Sequence, residues 1–219
     1  MQFRIVTIDG PAGAGKTTVS KQLARTLGCV YVDTGALYRG VAYEIDRQQV
    51  DWKNNAQLED FLSTLDLEFV MDGADLTLTS SGRDIGSYIR TPEITMLASA
   101  TSALPAVRKA LLDIQKTIAD TRDAVFEGRD MGTTVFPDAP FKFFLSADLE
   151  VRARRRYDEM GVAEKELDRV RTDMAKRDKD DTGRETSPLQ PATDAIHVDS
   201  THMTIDQVVE KMHAIIENL

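Results

Sequence analysis

The feature that most constrains how this chain can fold is a glycine-rich segment near its start. Residues 10–17 read G-P-A-G-A-G-K-T and match the pattern G-x-x-x-x-G-K-[ST] at every defined position. A short apolar run at 3–8 predicts a buried strand before it, and apolar spacing predicts a helix over 16–27 after it. Glycines let the backbone curl so that several N–H groups point at one anion, beside the positive end of that helix. This context favours a phosphate-binding loop, and the alternative is a glycine-rich turn that binds nothing.

Two side chains of this loop indicate the kind of ligand. Lys16 would reach the β- and γ-phosphates of a nucleoside triphosphate, and the Thr17 hydroxyl is placed to ligate Mg²⁺. The loop does not say which molecule receives the phosphoryl group. The residues expected to bind the triphosphate are Gly10, Pro11, Ala12, Gly13, Ala14, Gly15, Lys16, Thr17 and Thr18.

The remainder of the chain alternates predicted strands with predicted helices, an order that implies an α/β fold with a central parallel sheet flanked by helices. Strands are predicted at 3–8, 29–32, 124–127, 141–146 and 196–198, and helices at 16–27, 36–47, within 52–65, from Thr91-Pro92, from Pro105, at 148–160, at 163–179 after a break at Gly161, and from Thr204.

Residues 65–90 depart from this alternation. Apolar residues alternate with polar ones on both sides of Asp72-Gly73, which supplies turn chemistry. We expect a small antiparallel insert that is not part of the main sheet.

Composition and charge exclude several classes of function. The 219 residues carry 27 basic and 36 acidic side chains, a net charge of −9, and phosphate backbones repel such a chain, so we expect no nucleic-acid partner. No apolar run approaches the ~20 residues of a membrane helix, so we expect no membrane partner. The first ten residues lack a signal-peptide layout because Asp9 interrupts the apolar run. A single cysteine, Cys29, excludes an internal disulfide, and we expect a reducing, cytoplasmic location.

Two short segments after predicted strands could hold a second anion. Segment 33–39 includes Arg39, which could clamp a phosphate or could form an ordinary surface ion pair. In segment 128–132, Arg129 and Asp130 stand side by side between glycines, as one cation for phosphate and one carboxylate for a donor group. The alternative for this segment is a tight turn with an internal salt bridge.

A third candidate is the charged stretch 151–184. It holds eleven basic and nine acidic residues, a net charge of +2 in an otherwise acidic chain. Such contrast suits a mobile, arginine-rich lid that closes over bound phosphates. The alternative is a solvated helical hairpin with many i, i+4 ion pairs.

These motifs together resemble bacterial cytidylate kinases. The resemblance is carried by I-D-G-P-A-G-A-G-K-T at 8–17, D-T-G-x-x-Y-R at 33–39, G-R-D-M-G-T-x-V-F-P-D-A at 128–139, R-A-x-R-R at 152–156 and R-D-x-x-D-x-x-R at 177–184. It implies a nucleoside monophosphate (NMP) kinase fold in one domain over 1–219. Its parts would be a core (1–35, 103–150 and 190–219), an NMP-binding subdomain with the insert (about 36–102) and a lid (about 151–189).

The resemblance also implies a reaction, its cofactors and a set of site residues. ATP, with Mg²⁺, would phosphorylate CMP and dCMP, and the protein would be a monomer. The residues implied in catalysis are Lys16, Arg129, Arg155, Arg156 and Arg177, with Thr17 as metal ligand. Those implied in CMP binding are Thr34, Ser99, Arg108 and Asp130 around the base, Arg39 and Arg129 at the phosphate, Arg177 and Asp181 at the sugar, and Arg184 near the base.

Chemistry supports the choice of cytosine and leaves other readings to be tested. Cytosine presents an amino donor where uracil presents a carbonyl, so a carboxylate such as Asp130 would favour cytosine by about 1–3 kcal/mol. Adenylate, uridylate and shikimate kinases have no reason to share the Ser99, Arg108 and Asp130 set. A nucleotide-dependent switch would need a base-reading N-K-x-D segment, and an ATPase acting on nucleic acid is disfavoured by the net charge.

Overall fold

A computed structural model of the chain describes residues 4–73, 75–160 and 166–218. Its elements in chain order are β1 (Ile5–Asp9), α1 (Lys16–Leu27), β2 (Val30–Asp33), α2 (Thr34–Gln48), α3 (Asn55–Ser63), β3 (Leu67–Asp72), β4 (Asp75–Ser80), β5 (Arg83–Asp84), α4 (Pro92–Thr101), α5 (Pro105–Ala119), β6 (Ala124–Glu127), one turn of π-helix (Met131–Val135), β7 (Phe141–Ser146), α6 (Leu149–Met160), α7 (Leu167–Thr182), β8 (Ile196–Asp199) and α8 (Ile205–Glu217).

The main sheet has five strands in the order β2-β6-β1-β7-β8. β1 runs parallel to both neighbours, with Ile8 beside Glu127 of β6 and Phe143 of β7, and every residue of β1 is buried. α1 and α8 pack on the sheet through apolar faces. The predicted parallel sheet flanked by helices is confirmed. Because parallel strands end at the same edge, the segments that follow β1 and β6 begin close together.

A separate antiparallel sheet of β3, β4 and β5 confirms the predicted insert. Asp72 pairs with Asp75 across the hairpin, and Gly73 after it has a φ of 62°, which glycine adopts without strain. β5 was not predicted, because two residues are too few to show an alternating pattern.

The helix starts follow the predicted capping chemistry. The Thr91 hydroxyl accepts the N–H of Ile94 at 3.3 Å. At α8, the Thr204 hydroxyl accepts the N–H of Gln207, whose side chain in turn accepts the N–H of Thr204. α7 ends at Thr182, three residues beyond the predicted end, while the predicted break at Gly161 and the start at 163 lie outside the described residues.

The described residues pack into two units, each with its own apolar core. One, Val32–Arg122, is centred on α2, α4, α5 and the small sheet. The other joins Arg4–Tyr31 to the described residues from Asp123 onwards and is centred on the main sheet with α1 and α8. The predicted division into core, NMP-binding subdomain and lid stays a prediction. Across the described part of the chain, no helix combines the length and the apolar character that crossing a bilayer requires.

Candidate active site

The glycines of the phosphate-binding loop are required by its shape. Gly10 has a φ of +148°, and a Cβ there would lie 2.0 Å from the carbonyl oxygen of Leu145. Gly13 has a φ of +73°, and a Cβ there would lie 2.7 Å from the Met174 Cε of α7. The backbone contact excludes any larger residue at Gly10, the positive φ would strain one at Gly13, and the curled backbone predicted from the sequence is present.

Lys16 is the buried cation of this loop. Its Nζ donates a hydrogen bond to the Pro11 carbonyl oxygen at 2.9 Å. Burial, together with the positive charges of Arg129 and Arg177, lowers its pKa from 10.5 to about 7, and the negative charge of Glu127 partly opposes this shift. Three of the predicted catalytic cations thus lie close enough to influence one another, and a bound polyanion would relieve their mutual repulsion.

Thr17 faces a carboxylate that the sequence analysis did not single out. Its hydroxyl donates to Glu127 Oε1 at 2.9 Å, and the Tyr31 hydroxyl donates to Glu127 Oε2 at 2.6 Å. Glu127 could have been identified from the sequence, because it is the last residue of a predicted strand whose carboxyl end lies beside the loop. Within the described residues, no three His, Cys, Asp or Glu side chains cluster as a metal site.

The turn that follows β6 carries Arg129 and Asp130. Asp130 is buried and precedes the π-helical turn, while Arg129 is partly exposed. A second carboxylate missed in the sequence, Asp9, accepts the N–H groups of Met131 and Gly132 at 2.9 and 2.8 Å. Burial raises the pKa of Asp9 to about 6, although these two hydrogen bonds lower it.

Two arginines, Arg129 and Arg184, pair with the buried carboxylate of Asp181. Arg129 Nε donates to Asp181 Oδ2 at 3.1 Å, and Arg184 pairs with Asp181 Oδ1. Arg129 therefore forms an ion pair with a carboxylate of α7, outside its own turn. Three residues predicted to contact CMP are brought together here.

Arg152 of α6 contacts the backbone of the phosphate-binding loop. Arg152 is buried, donates to the carbonyl oxygens of Ala147 at 2.8 Å and Ala12 at 3.1 Å, and forms an ion pair with Asp178 at 2.7 Å. The resulting contacts join α6 to both α7 and the loop.

Arg155, by contrast, is bound mainly to the segment after β8. It donates to the Ser200 carbonyl oxygen at 2.8 Å and to the Ser200 hydroxyl at 3.1 Å. The same hydroxyl donates to the Ala14 carbonyl oxygen at 3.2 Å, so Ser200 links this arginine to the loop. Ser200 was missed, because nothing in its local sequence indicates a contact 186 residues away.

Arg156 is not brought to the loop. Its side chain is 53% exposed and pairs with Glu159 one turn along α6 at 3.2 Å. Here the structure shows the hairpin-type ion pair that was the alternative for this stretch, and a role for Arg156 at the phosphoryl group stays a prediction.

In the Val32–Arg122 unit, Arg39 is held by a carboxylate. Its Nη2 donates to Asp33 Oδ2 at 2.8 Å, while Asp33 Oδ1 caps α2 by accepting the N–H of Ala36 at 3.1 Å. A Cβ on Gly35 would lie 3.0 Å from Arg39 Nη1, so the small residue leaves room for the guanidinium. The ion pair that was the alternative for Arg39 exists, and it leaves the phosphate role a prediction.

The same unit groups the other predicted base-binding residues. Arg108 donates to the Ser102 carbonyl oxygen at 3.1 Å and lies 5.4 Å from the centre of the Tyr38 ring. The Ser102 hydroxyl donates to the Ser99 carbonyl oxygen at 3.0 Å. Thr34 is buried at the first position of α2. These contacts put Ser99 and Arg108 in one neighbourhood.

Comparison with known proteins assigns the chain to a family. A family model described as cytidylate kinase matches residues 6–218. The cytidylate kinase of Geobacter sulfurreducens is 44% identical over 214 residues, which cover 97% of this chain and 92% of that protein. That of Fervidobacterium nodosum is 44% identical over 214 residues, covering 97% and 95%, and that of Citrifermentans bemidjiense is 42% identical over 215 residues, covering 97% and 92%. Because these matches span almost the whole chain, the protein belongs to the cytidylate kinase family.

Proposed function

We propose that this protein transfers the γ-phosphoryl group of ATP to CMP and dCMP, forming ADP and CDP or dCDP. The observation that carries the proposal is a buried carboxylate, Asp130, next to a partly exposed cation, Arg129, in a turn bonded to the strand that leads into the phosphate-binding loop. This juxtaposition supports a second nucleotide site beside the ATP site, and membership of the family supports CMP as its occupant.

Base selection rests on hydrogen bonding. The Asp130 carboxylate accepts the N4 amino group of cytosine, with Thr34, Ser99 and Arg108 completing the recognition of the ring. Uracil presents a carbonyl oxygen at the same place, so two hydrogen-bond acceptors would face each other there. We therefore expect the enzyme to discriminate against UMP through the loss of this hydrogen bond and the repulsion between the two oxygens.

The chemical step needs alignment and charge neutralisation more than proton transfer. The acceptor phosphate is already anionic near neutral pH, so no general base is required. Lys16, Arg129 and Arg177 neutralise the negative charge on the phosphoryl group during its transfer. Arg39 and Arg129 hold the phosphate of the acceptor. Arg177 and Asp181 contact the sugar, and Arg184 lies near the base.

The residues around Thr17 fit a magnesium ion. The Thr17 hydroxyl and the Glu127 carboxylate supply adjacent oxygen atoms, the ligand type that Mg²⁺ prefers. When bound with ATP, the ion would neutralise charge on the β- and γ-phosphates. Thr17 would hold it directly, and the oxygens of Glu127 would hold it or its water ligands.

The lid, residues 151–189, is proposed to close over the phosphates and exclude water, which suppresses ATP hydrolysis. Arg155 and Arg156 would then approach the transferring phosphoryl group. We further propose that the protein acts as a monomer in the cytoplasm.

A coupled assay of ADP release tests the proposal. Purified protein is given ATP and Mg²⁺ with CMP, dCMP, UMP, AMP, GMP, shikimate or no acceptor. Fast turnover is expected with CMP and dCMP, slow turnover with UMP, and none with the others. Brisk turnover with another acceptor but not CMP would overturn the proposal, as would slow hydrolysis that no nucleotide stimulates.

A further inference from the structure

Asp9 is a buried acidic residue that the proposed reaction does not use. It is the last residue of β1, is only 4% exposed, and immediately precedes Gly10 of the phosphate-binding loop. A carboxylate in such a place costs free energy unless hydrogen bonds satisfy both of its oxygens. Its partners therefore show what it stabilises.

Both oxygens of Asp9 bind the turn that carries the acceptor-site residues. Oδ1 accepts the N–H of Met131 at 2.9 Å, and Oδ2 accepts the N–H of Gly132 at 2.8 Å. The start of the same turn is bound too, because Gly128 donates its N–H to the Ile8 carbonyl oxygen at 3.1 Å. Arg129 and Asp130 thus lie between two points that are both tied to the last two residues of β1.

The two ends of this connection are tightly packed. A Cβ on Gly132 would lie 3.1 Å from Thr7 Oγ1 and 3.2 Å from Lys142 Cδ, so little space remains for the turn to shift. On the other side, the carbonyl oxygen of Leu145 closes the space beside Gly10. Asp9 is the short covalent and hydrogen-bonded link between these two closely confined glycines.

We propose that Asp9 is a positioning residue that sets the separation between the phosphate-binding loop and the turn carrying Arg129 and Asp130, and thereby aligns CMP with the γ-phosphate of ATP. This inference rests on the proposed function. A displacement of about 1 Å can cost on the order of 100-fold in rate for an in-line reaction. The loop has its own glycine geometry, and Asp9 has the weakest effect of the charges that act on the Lys16 pKa, so the ATP site should be affected least.

Two substitutions of Asp9 remove its hydrogen bonds to different extents. Asp9→Asn retains the size and one acceptor oxygen, but its NH₂ group faces an N–H donor, and Asp9→Ala removes both acceptors. We expect kcat/KM for CMP to fall about tenfold in Asp9→Asn and about 100-fold in Asp9→Ala. The KM for CMP should rise and the preference for CMP over UMP should fall, while the KM for ATP stays within about twofold.

One variant of the same strand serves as the control. Val6→Ala opens a cavity in the core beneath the loop, since Val6 is fully buried. It should lower the melting temperature without changing the CMP-to-UMP preference or either KM.

Hydrogen exchange supplies a readout that does not depend on activity. The amides of Met131 and Gly132 should be protected in the wild type and in Val6→Ala, and should exchange faster in both Asp9 variants. If the wild type fails to use CMP, the proposed function falls, and the exchange data still decide whether Asp9 anchors the turn.

Several results would overturn the inference while leaving the proposed function intact. One is an active wild type whose Asp9 variants keep the wild-type kcat, KM for CMP and base preference. Another is a uniform fall in activity with both substrates, matching Val6→Ala at equal loss of melting temperature. If neither Asp9 variant folds while Val6→Ala does, Asp9 acts on the fold and not on the site.

Discussion

Lys16 and Arg39, the cations at the two ends of the proposed reaction, are held in opposite ways. Lys16 is buried and bonded to a neutral carbonyl oxygen, that of Pro11, at 2.9 Å. Arg39 is partly exposed and paired with the Asp33 carboxylate at 2.8 Å. A buried cation bonded to a neutral oxygen is stabilised by an incoming anion, whereas a cation in a close ion pair is already neutralised. The difference teaches that the phosphate-binding loop leaves its lysine for a ligand to neutralise, whereas segment 33–39 neutralises its own arginine.

The largest expected effect is that of Lys16→Ala. Removal of the ammonium should lower kcat by about 10²–10³-fold, because a charge that stabilises the transferring phosphoryl group is lost. The melting temperature of the ligand-free protein should not fall, since the substitution also removes the cost of burying a cation. The check is the coupled assay with thermal denaturation, and Lys109→Ala on exposed α5 surface is the control. A variant that retained most of its kcat would contradict the role given to Lys16.

Asp130→Asn should have the next largest effect. The amide can no longer serve as an ionised acceptor for the N4 amino group, so kcat/KM for CMP should fall about 10–100-fold, with UMP affected much less. Steady-state kinetics with both nucleotides, and calorimetric titration with ATP, measure this.

Asp138→Asn, an exposed carboxylate in the same segment, is the matched control for Asp130→Asn. Loss of ATP binding with CMP binding preserved would show that Asp130 belongs to the other nucleotide.

The pH dependence of ATP binding tests the burial of Lys16 directly. Burial holds the Lys16 pKa at about 7 in the ligand-free protein, and bound triphosphate favours the charged form and raises that pKa. Binding above pH 7 therefore takes up a proton, and affinity falls as the pH rises. Because the last phosphate pKa is about 6, measurements from pH 7.5 to 9 avoid the titration of ATP itself.

The expected weakening over that range is on the order of tenfold. Titration calorimetry in two buffers of different ionisation enthalpy measures the proton uptake. Lys16→Arg, whose guanidinium stays charged, should show neither the uptake nor the weakening. An equally steep profile in Lys16→Arg would assign the titration to another group.

The smallest effect is expected for Asp33→Asn on the acceptor side. Asparagine still caps α2, so the helix is retained, but Arg39 loses its ion pair and its fixed orientation. The pair is partly exposed, so the KM for CMP should rise only about two- to fivefold. Arg47→Ala, which breaks another ion pair of α2, should leave this KM unchanged. A fall in the KM for CMP would mean that Asp33 competes with the phosphate and does not orient Arg39.

Features made by adjacent residues were predictable from the sequence. The phosphate-binding loop needs glycines and a lysine at set spacings, so residues 10–17 contain nearly everything that shapes it. The hairpin at Asp72-Gly73 and the caps at Thr91 and Thr204 were predictable for the same reason, because each hydrogen bond closes within a few residues.

The directions in which the arginine side chains of α6 point were not predictable. Arg152, Arg155 and Arg156 lie within about one turn of α6, and their spacing gives no reason to separate them. The structure directs the first towards Ala12 and the second towards Ser200, while the third pairs with Glu159 in solvent. What separates them is the position of elements that pack against α6 from far along the chain.

By itself, the sequence determined the local conformations: a loop shaped for phosphate, an α/β order of elements and a separate antiparallel insert. Only the tertiary structure decided which distant side chains meet that loop. Asp9 reaches Met131 across 122 residues, and Thr17 reaches Glu127 across 110. The physical reason is that the order of strands in the main sheet brings the ends of β1 and β6 together, and that order arises from packing of the whole sheet and not from any local run of residues.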